Sequence, residues 1–150
     1  MDKKSNILII IPAYNESENI QIVIESIHAT HPEFDILVVD DGSTDRTGEF
    51  AKSTSKAFVI CLPYNIGIGG SVQTGFRFAK KYNYDYAIQF DGDGQHMVHE
   101  ISKLIKPLKD GEADCVVGSR FVQRKNNSYK PDFFRKTGIF ILHKFSYLYI

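Results

Sequence analysis

Two carboxylates stand two positions apart in Asp91-Gly92-Asp93-Gly94-Gln95, and each is followed by a glycine. The glycines let the backbone turn tightly and let a ligand come close. Like charges at that spacing repel unless a cation lies beside or between them. Hard carboxylate oxygens suit Mg2+ or Mn2+, with phosphates and water completing the coordination. The competing reading is a capping turn that starts the next helix. An EF-hand fails on spacing, because Ser102 stands where the bidentate glutamate belongs. His96 and His99 are spaced like a metal pair, but histidines at a helix start are commoner than a zinc site built from them.

Asp40 and Asp41 close an apolar run just before Gly42. Carboxylates there can accept hydrogen bonds from a nucleobase N–H or from ribose hydroxyls; the alternative use of either is a helix N-cap. Arg120, Arg135 and Arg124 can each neutralise a phosphate bidentately, though a single arginine is more often a solvated surface residue. The turn Gly67-Ile68-Gly69-Gly70 resembles two phosphate-binding motifs and matches neither. A dinucleotide fingerprint needs glycine where Val72 stands, and a P-loop needs Lys-Ser/Thr where Phe76 follows Gly75. The turn either brings backbone N–H groups near an anion or only permits a tight strand-to-helix connection.

The elements that must position these groups alternate along the chain. Ile7 to Ile11 is a continuous aliphatic run stopped by Pro12, the pattern of a strand buried on both faces. Asn15 can cap the next helix with Glu18 in capping-box position, and Ile20, Val23, Ile24 and Ile27 recur at helical spacing. Further strands are expected at 36–39, 57–62, 86–90 and 115–117. Helices are expected from Thr44 or Asp45 to Lys52, after Gly70 with Val72, Phe76 and Ala79 on one face, and around Ile101 to Leu108, where Pro107 distorts the last turn. Such alternation implies a mostly parallel sheet covered by helices on both faces, an α/β/α sandwich. Right-handed crossovers put every strand C-terminus along one edge, where ligands bind in open α/β sheets. Four polar clusters fall on that edge: Tyr14-Asn15-Glu16, Asp40-Asp41, Asp91 to Gln95, and Ser119-Arg120.

With 150 residues, 43% hydrophobic and 24% charged, the chain suits one soluble globular domain. Lys+Arg and Asp+Glu balance at 18 each, which argues against a nucleic-acid partner. The balance hides an asymmetry: beyond Asp114 the one carboxylate is Asp132, amid seven lysines and arginines and many aromatics. Cys61 and Cys115 lie in apolar runs and read as buried, reduced core residues. The apolar run at the N-terminus is too short for a signal peptide, and no run is long enough to span a membrane, so a cytoplasmic location is expected. The apolar ending Tyr147-Leu148-Tyr149-Ile150 reads as a cut chain.

Taken together, Ile10-Ile11-Pro12-Ala13-Tyr14-Asn15-Glu16, Val38 to Asp45, Asn65 to Gly70, Phe90 to His96 and Gly118-Ser119-Arg120 resemble, in order and spacing, the family 2 glycosyltransferases with the GT-A fold. Within that family the segments look most like dolichol-phosphate mannose synthases and related polyprenyl-phosphate sugar transferases. The resemblance implies a Rossmann-like nucleotide-sugar-binding core over residues 1–122. It also implies a basic, aromatic segment over 123–150 that leads toward an acceptor or membrane-proximal part absent from this chain. It implies that Pro12, Ala13, Tyr14, Glu16, Asp40, Asp41 and Gly69, with Asp91 and Gly92, hold the donor, a UDP- or GDP-sugar. Asp91, Asp93 and Gln95 would ligate Mg2+ or Mn2+, and Arg120 and Arg135 would face phosphates of donor and lipid acceptor.

The activity so implied is inverting transfer of a sugar to a polyprenyl or dolichyl phosphate at the cytoplasmic membrane face. A phosphate acceptor is already anionic at neutral pH and needs no general base, whereas a saccharide acceptor would. The basic, aromatic tract fits a phosphate head group at a membrane surface, and equally a helix that packs on the absent half. Two other readings stay open: transfer to a growing polysaccharide, and a non-catalytic remnant that binds nucleotide or a partner. A nucleotidyltransferase would carry a Gly-rich basic loop where Ala13-Tyr14-Asn15-Glu16 stands.

Overall fold

The structure, a computed structural model, describes residues 6–94 and 98–118. They fall into two compact units, one up to Ser102 and one from Lys103 onward. In the first, β1 (Ile7–Ala13), α1 (Ile20–Thr30), β2 (Asp35–Asp40), α2 (Thr47–Ser53), β3 (Phe58–Cys61), α3 (Ile68–Lys81) and β4 (Tyr86–Gln89) alternate. A short 3-10 turn, Val98–Glu100, then leads into α4 (Ile101–Lys109), which crosses into the second unit.

The four strands form one sheet in the order β3-β2-β1-β4, and every neighbouring pair is parallel. The expected α/β fold is therefore present. β1 is an inner strand because its sequence allows it: Leu8 to Ile11 are completely buried, which only a strand covered on both faces can achieve. Alternate side chains separate the two faces. Leu8, Ile10, Leu37 and Val39 join Phe78 and Ala79 of α3 in one cluster, with Phe58 and Ile60 packed against it. On the other face Gly48 of α2 lies against Asp40 and Cys61, where an added Cβ would stand 2.5 Å from Asp40 Oδ2. Neighbouring α1 turns its stripe Ile20, Val23, Ile24 and Ile27 inward, and each aliphatic side chain so buried stabilises the fold by about 1.5–3 kcal/mol.

At the sheet's opposite edge the Tyr84 hydroxyl donates to Asp35 Oδ2 at 2.9 Å. Burial, reinforced by that carboxylate, pushes the Tyr84 hydroxyl above its usual titration range. In the second unit the end of α4 is joined by an ion pair between Lys106 and Asp110 at 2.5 Å. Leu104 packs beside Gly118.

Four expectations need correction. α1 begins at Ile20 and Asn15 does not cap it: Asn15 takes a left-handed φ of 57° instead of the extended backbone of an N-cap, and its Oδ1 accepts from Thr44; Asn19 precedes the helix without a side-chain cap. The sheet-facing side of α3 is Ser71, Gly75, Phe78 and Ala79, while Phe76 is exposed. Small residues face inward there because the helix rests directly on Ile10: a Cβ on Gly75 would lie 2.3 Å from Ile10 Cγ2. Residues 115–118 form no strand. Both cysteines are exposed and in no disulfide; Cys61 ends β3, which among the described residues pairs with one strand alone.

Candidate functional site

In the order β3-β2-β1-β4 the chain direction of assembly reverses between β1 and β4, and the C-terminal ends of strands at such a switch point are where open α/β sheets bind their ligands. Phe90 extends their pairing by donating its N–H to the Ile10 carbonyl at 2.9 Å, and is itself buried. The chain then turns through Asp91-Gly92-Asp93, pressed against the end of β1. A Cβ on Gly92 would lie 3.3 Å from Ile11 Cγ2 and 3.4 Å from the Pro12 carbonyl oxygen. Thus residues eighty positions apart in sequence share one place, and the glycine between the two carboxylates permits it. Asp91 is half-buried and accepts a bond from Gln89 Nε2 at 3.3 Å, while Asp93 is exposed.

The other side of Ala13 carries the second acidic pair. Asp41 donates its N–H to the Ala13 carbonyl at 2.8 Å, carrying the β1–β2 pairing past the strand end. Both carboxylates are buried, and both hold loops. Asp40 Oδ1 accepts from the Ser43 N–H at 3.0 Å, and Asp41 Oδ1 from the Ile66 N–H at 2.8 Å. Gly42, at φ +67°, presses the same turn against the following loop, with its missing Cβ 2.5 Å from the Tyr64 carbonyl carbon. The loop from Tyr64 to Ile68 is thereby fixed to β2 while exposing Tyr64, Ile66 and Ile68, and Tyr14 is exposed as well. Gly69 lies in the first turn of α3 with nothing near its Cβ position, so no packing demands a glycine there.

Three of the four expected polar clusters therefore meet at one sheet edge. The fourth, Ser119-Arg120, lies outside the described residues, as do Gln95, His96 and Arg135. Among the described residues no group of three or more His, Cys, Asp or Glu side chains forms a metal cage. Asp91 and Asp93 are two hard oxygen donors, which fits a cation completed by a ligand's own phosphates and not one caged by protein alone. Charge points the same way. The segments 12–16, 40–45, 62–70 and 91–94 contain Glu16, Asp40, Asp41, Asp45, Asp91 and Asp93 and no lysine or arginine. An edge so acidic repels a diphosphate unless a cation is shared between them.

Sequence reasoning missed a second function of the short polar residues at this edge. The Asn15 N–H donates to Ser43 Oγ at 3.0 Å, and Asn15 Oδ1 accepts from the Thr44 N–H at 2.9 Å and the Thr44 hydroxyl at 3.2 Å. The Glu16 N–H donates to Thr47 Oγ1 at 2.8 Å and the Ser17 N–H to Asp45 Oδ2 at 3.1 Å. Asp45 is exposed; the slight desolvation of its carboxyl opposes the charge, but the donors of Thr47 and Ser17 outweigh it and bring it down to about 2. The available signal was the pairing of Asn-Glu-Ser after β1 with Ser-Thr-Asp-Arg-Thr after β2, residue types that bind backbone N–H groups in turns.

The family model described as "Glycosyl transferase family 2" matches residues 8–146. Polyprenol monophosphomannose synthase of Mycolicibacterium smegmatis is 37% identical over 120 residues, which are 77% of this chain and 45% of that protein. Undecaprenyl-phosphate mannosyltransferase of Micrococcus luteus is 35% identical over 120 residues, covering 77% of this chain and 49% of its own length. The chain thus spans about half the length of the curated relatives it matches. Among solved structures, glucosyl-3-phosphoglycerate synthase of Mycobacterium tuberculosis in complex with Mn2+, UDP-glucose and phosphoglyceric acid superposes with a TM-score of 0.58. That match has 28% identity and covers 71% of this chain and 40% of the other.

Proposed function

The chain belongs to glycosyl transferase family 2, and from that premise we propose that it is the donor-binding half of a metal-dependent, inverting sugar transferase with a polyprenyl phosphate acceptor. The observation that carries the reading is the Asp91-Gly92-Asp93 turn seated against Pro12 at the C-terminal ends of β4 and β1. The names of the relatives, a polyprenol and an undecaprenyl-phosphate mannosyl enzyme, support the acceptor class. The structural neighbour was solved in complex with Mn2+ and UDP-glucose, which supports the donor class and the metal.

In this reading Tyr14 and Glu16, with the strand ends Pro12-Ala13 and Asp40-Asp41, receive the nucleoside; Gly69 leaves open space for a ligand to approach the backbone, and Gly92, packed on Ile11 and Pro12, holds the Asp91-Asp93 turn beside the donor. Asp91 and Asp93, with Gln95, would hold Mg2+ or Mn2+, which when bound neutralises the charge that collects on the departing diphosphate. Arg120 and Arg135 contribute further positive charge toward donor and acceptor phosphates. An acceptor phosphate oxygen attacks the anomeric carbon from the side opposite the diphosphate. One C–O bond forms as the other breaks, and the nucleoside diphosphate leaves with the bonding pair. The attacking oxygen carries no proton to remove, so no general base is required.

Among the described residues no helix is long and apolar enough to cross a membrane. The proposed contact of these residues with a lipid acceptor is peripheral, at the cytoplasmic membrane face. The test is transfer of labelled sugar from GDP-mannose or UDP-glucose to polyprenyl phosphate in vesicles, with Mn2+. Label in the lipid phase that depends on the metal supports the reading. Label passing instead to a soluble saccharide contradicts the acceptor.

A further inference from the structure

Hydrogen bonds join residues 15–17 to residues 43–47 across 28 to 31 positions of sequence. Asn15 stands at their centre and takes part in three of them, once through its N–H and twice through Oδ1. Its φ of 57° is one that asparagine enters at low cost and a branched residue only under strain. On either side of it are Tyr14 and Glu16, and the Glu16 carboxylate accepts from Asn19 Nδ2 at 2.9 Å. A rotation at residue 15 would swing Tyr14 and Glu16 relative to each other, and the bonds to Ser43 and Thr44 forbid it. The loop after β1 is thus held on one side by the loop after β2 and on the other by Glu16, whose backbone carbonyl accepts from the Asn19 and Ile20 N–H groups at 3.0 and 2.9 Å.

We propose that Asn15 is a positioning residue for the donor site: its side-chain oxygen, locked by Thr44, and its N–H, locked by Ser43, fix Tyr14 and Glu16 in the conformation that receives the nucleoside. The proposal rests on the donor-binding reading for the identity of the ligand. The role so assigned to Asn15 is exerted through its neighbours, since its N–H and Oδ1 are already engaged by Ser43 and Thr44.

Calorimetric titration of this chain with UDP-glucose and GDP-mannose in the presence of Mn2+ tests the proposal, paired with amide hydrogen exchange at residues 15–17 and 44. Asn15→Gly keeps access to the left-handed backbone but loses the acceptor, so donor Kd rises about tenfold, the size expected for lost hydrogen bonds. The four amides exchange faster while the global unfolding midpoint stays near that of the unsubstituted chain. Asn15→Asp retains the acceptor and restores affinity to within about threefold. Ser43→Ala weakens donor binding in the same direction, and adding it to Asn15→Gly costs less than the sum of the two, because both act on one constraint. Faster exchange in Asn15→Gly without loss of donor affinity overturns the proposal, since the bonds would then be merely structural; so does unchanged exchange. An unsubstituted chain that binds neither donor overturns the donor reading and the positioning role with it, whereas variants that bind like the unsubstituted chain overturn the positioning role alone.

Discussion

The Asp41 carboxylate accepts a hydrogen bond from the Ile66 N–H at 2.8 Å and so ties the end of β2 to the loop that enters α3. The bond is long-range, its carboxylate is buried, and it adjoins Gly42, whose missing side chain lets the same loop come into backbone contact. A group proposed to receive a nucleoside therefore also builds the wall beside it.

Substitutions at this junction should separate those two duties. Asp41→Asn keeps an oxygen for the Ile66 N–H and should cost little stability, whereas Asp41→Ala strands that donor and should cost about 1–3 kcal/mol. Gly42→Ala meets both a positive φ and a backbone 2.5 Å away, so it should destabilise at least as much as Asp41→Ala. Urea unfolding followed by circular dichroism reads all three. Equal stability of Asp41→Ala and Asp41→Asn would contradict the structural duty of the carboxylate.

The contact of Gly75 with Ile10 makes a second prediction, about packing. Gly75→Ala should destabilise by about 1–3 kcal/mol through overpacking, although alanine is the better helix former. Truncating the opposing side chain in the double variant Gly75→Ala, Ile10→Ala removes the clash, so the combined cost should fall well short of the sum. A Gly75→Ala chain more stable than the unsubstituted one would mean that α3 does not rest flush on β1.

Asp45 sets a pH dependence with a definite sign. Its folded-state carboxyl titrates at about 2, below an ordinary value of 3.8, so folding favours the charged form. The stability it contributes is fully present above the ordinary value and is lost as pH falls through the folded one. Asp45→Asn should therefore lower the urea midpoint at pH 7 and pH 5. The gap to the unsubstituted chain should close between about pH 4 and pH 2. A gap that persists unchanged at pH 2 would show that the carboxylate charge is not what holds Thr47 and Ser17.

Much of this molecule is legible because it rests on patterns a sequence displays directly. The uninterrupted Ile7 to Ile11 run suits only a doubly covered strand, and it is one of the two inner strands of the sheet. The acidic pairs at 40–41 and 91–93 each follow an apolar run, and parallel topology alone brings them to one edge. Misreadings arise where long-range contacts override local preference. Asn15 has the residue type of a helix cap, but its amide bonds to Thr44 instead, and the helix waits until Ile20. The α3 face misleads because apolar Phe76 suggests a core position, while close approach to Ile10 selects Gly75. Cys61 reads as buried from its neighbours, yet edge position in a sheet is a property of topology, which a strand's own residues do not encode.

The central claim is that Asp91 and Asp93 grip a divalent cation on the donor's diphosphate, and calorimetry of donor binding tests it most directly. The unsubstituted chain should bind GDP-mannose or UDP-glucose with Mn2+ and bind about tenfold or more weakly in EDTA, since Asp91 and Asp93 then face the diphosphate with no cation between them. Asp93→Asn should lose that metal-dependent gain while keeping its unfolding midpoint, as befits an exposed side chain. Donor affinity that is the same with and without metal, and untouched by Asp93→Asn, would contradict the account.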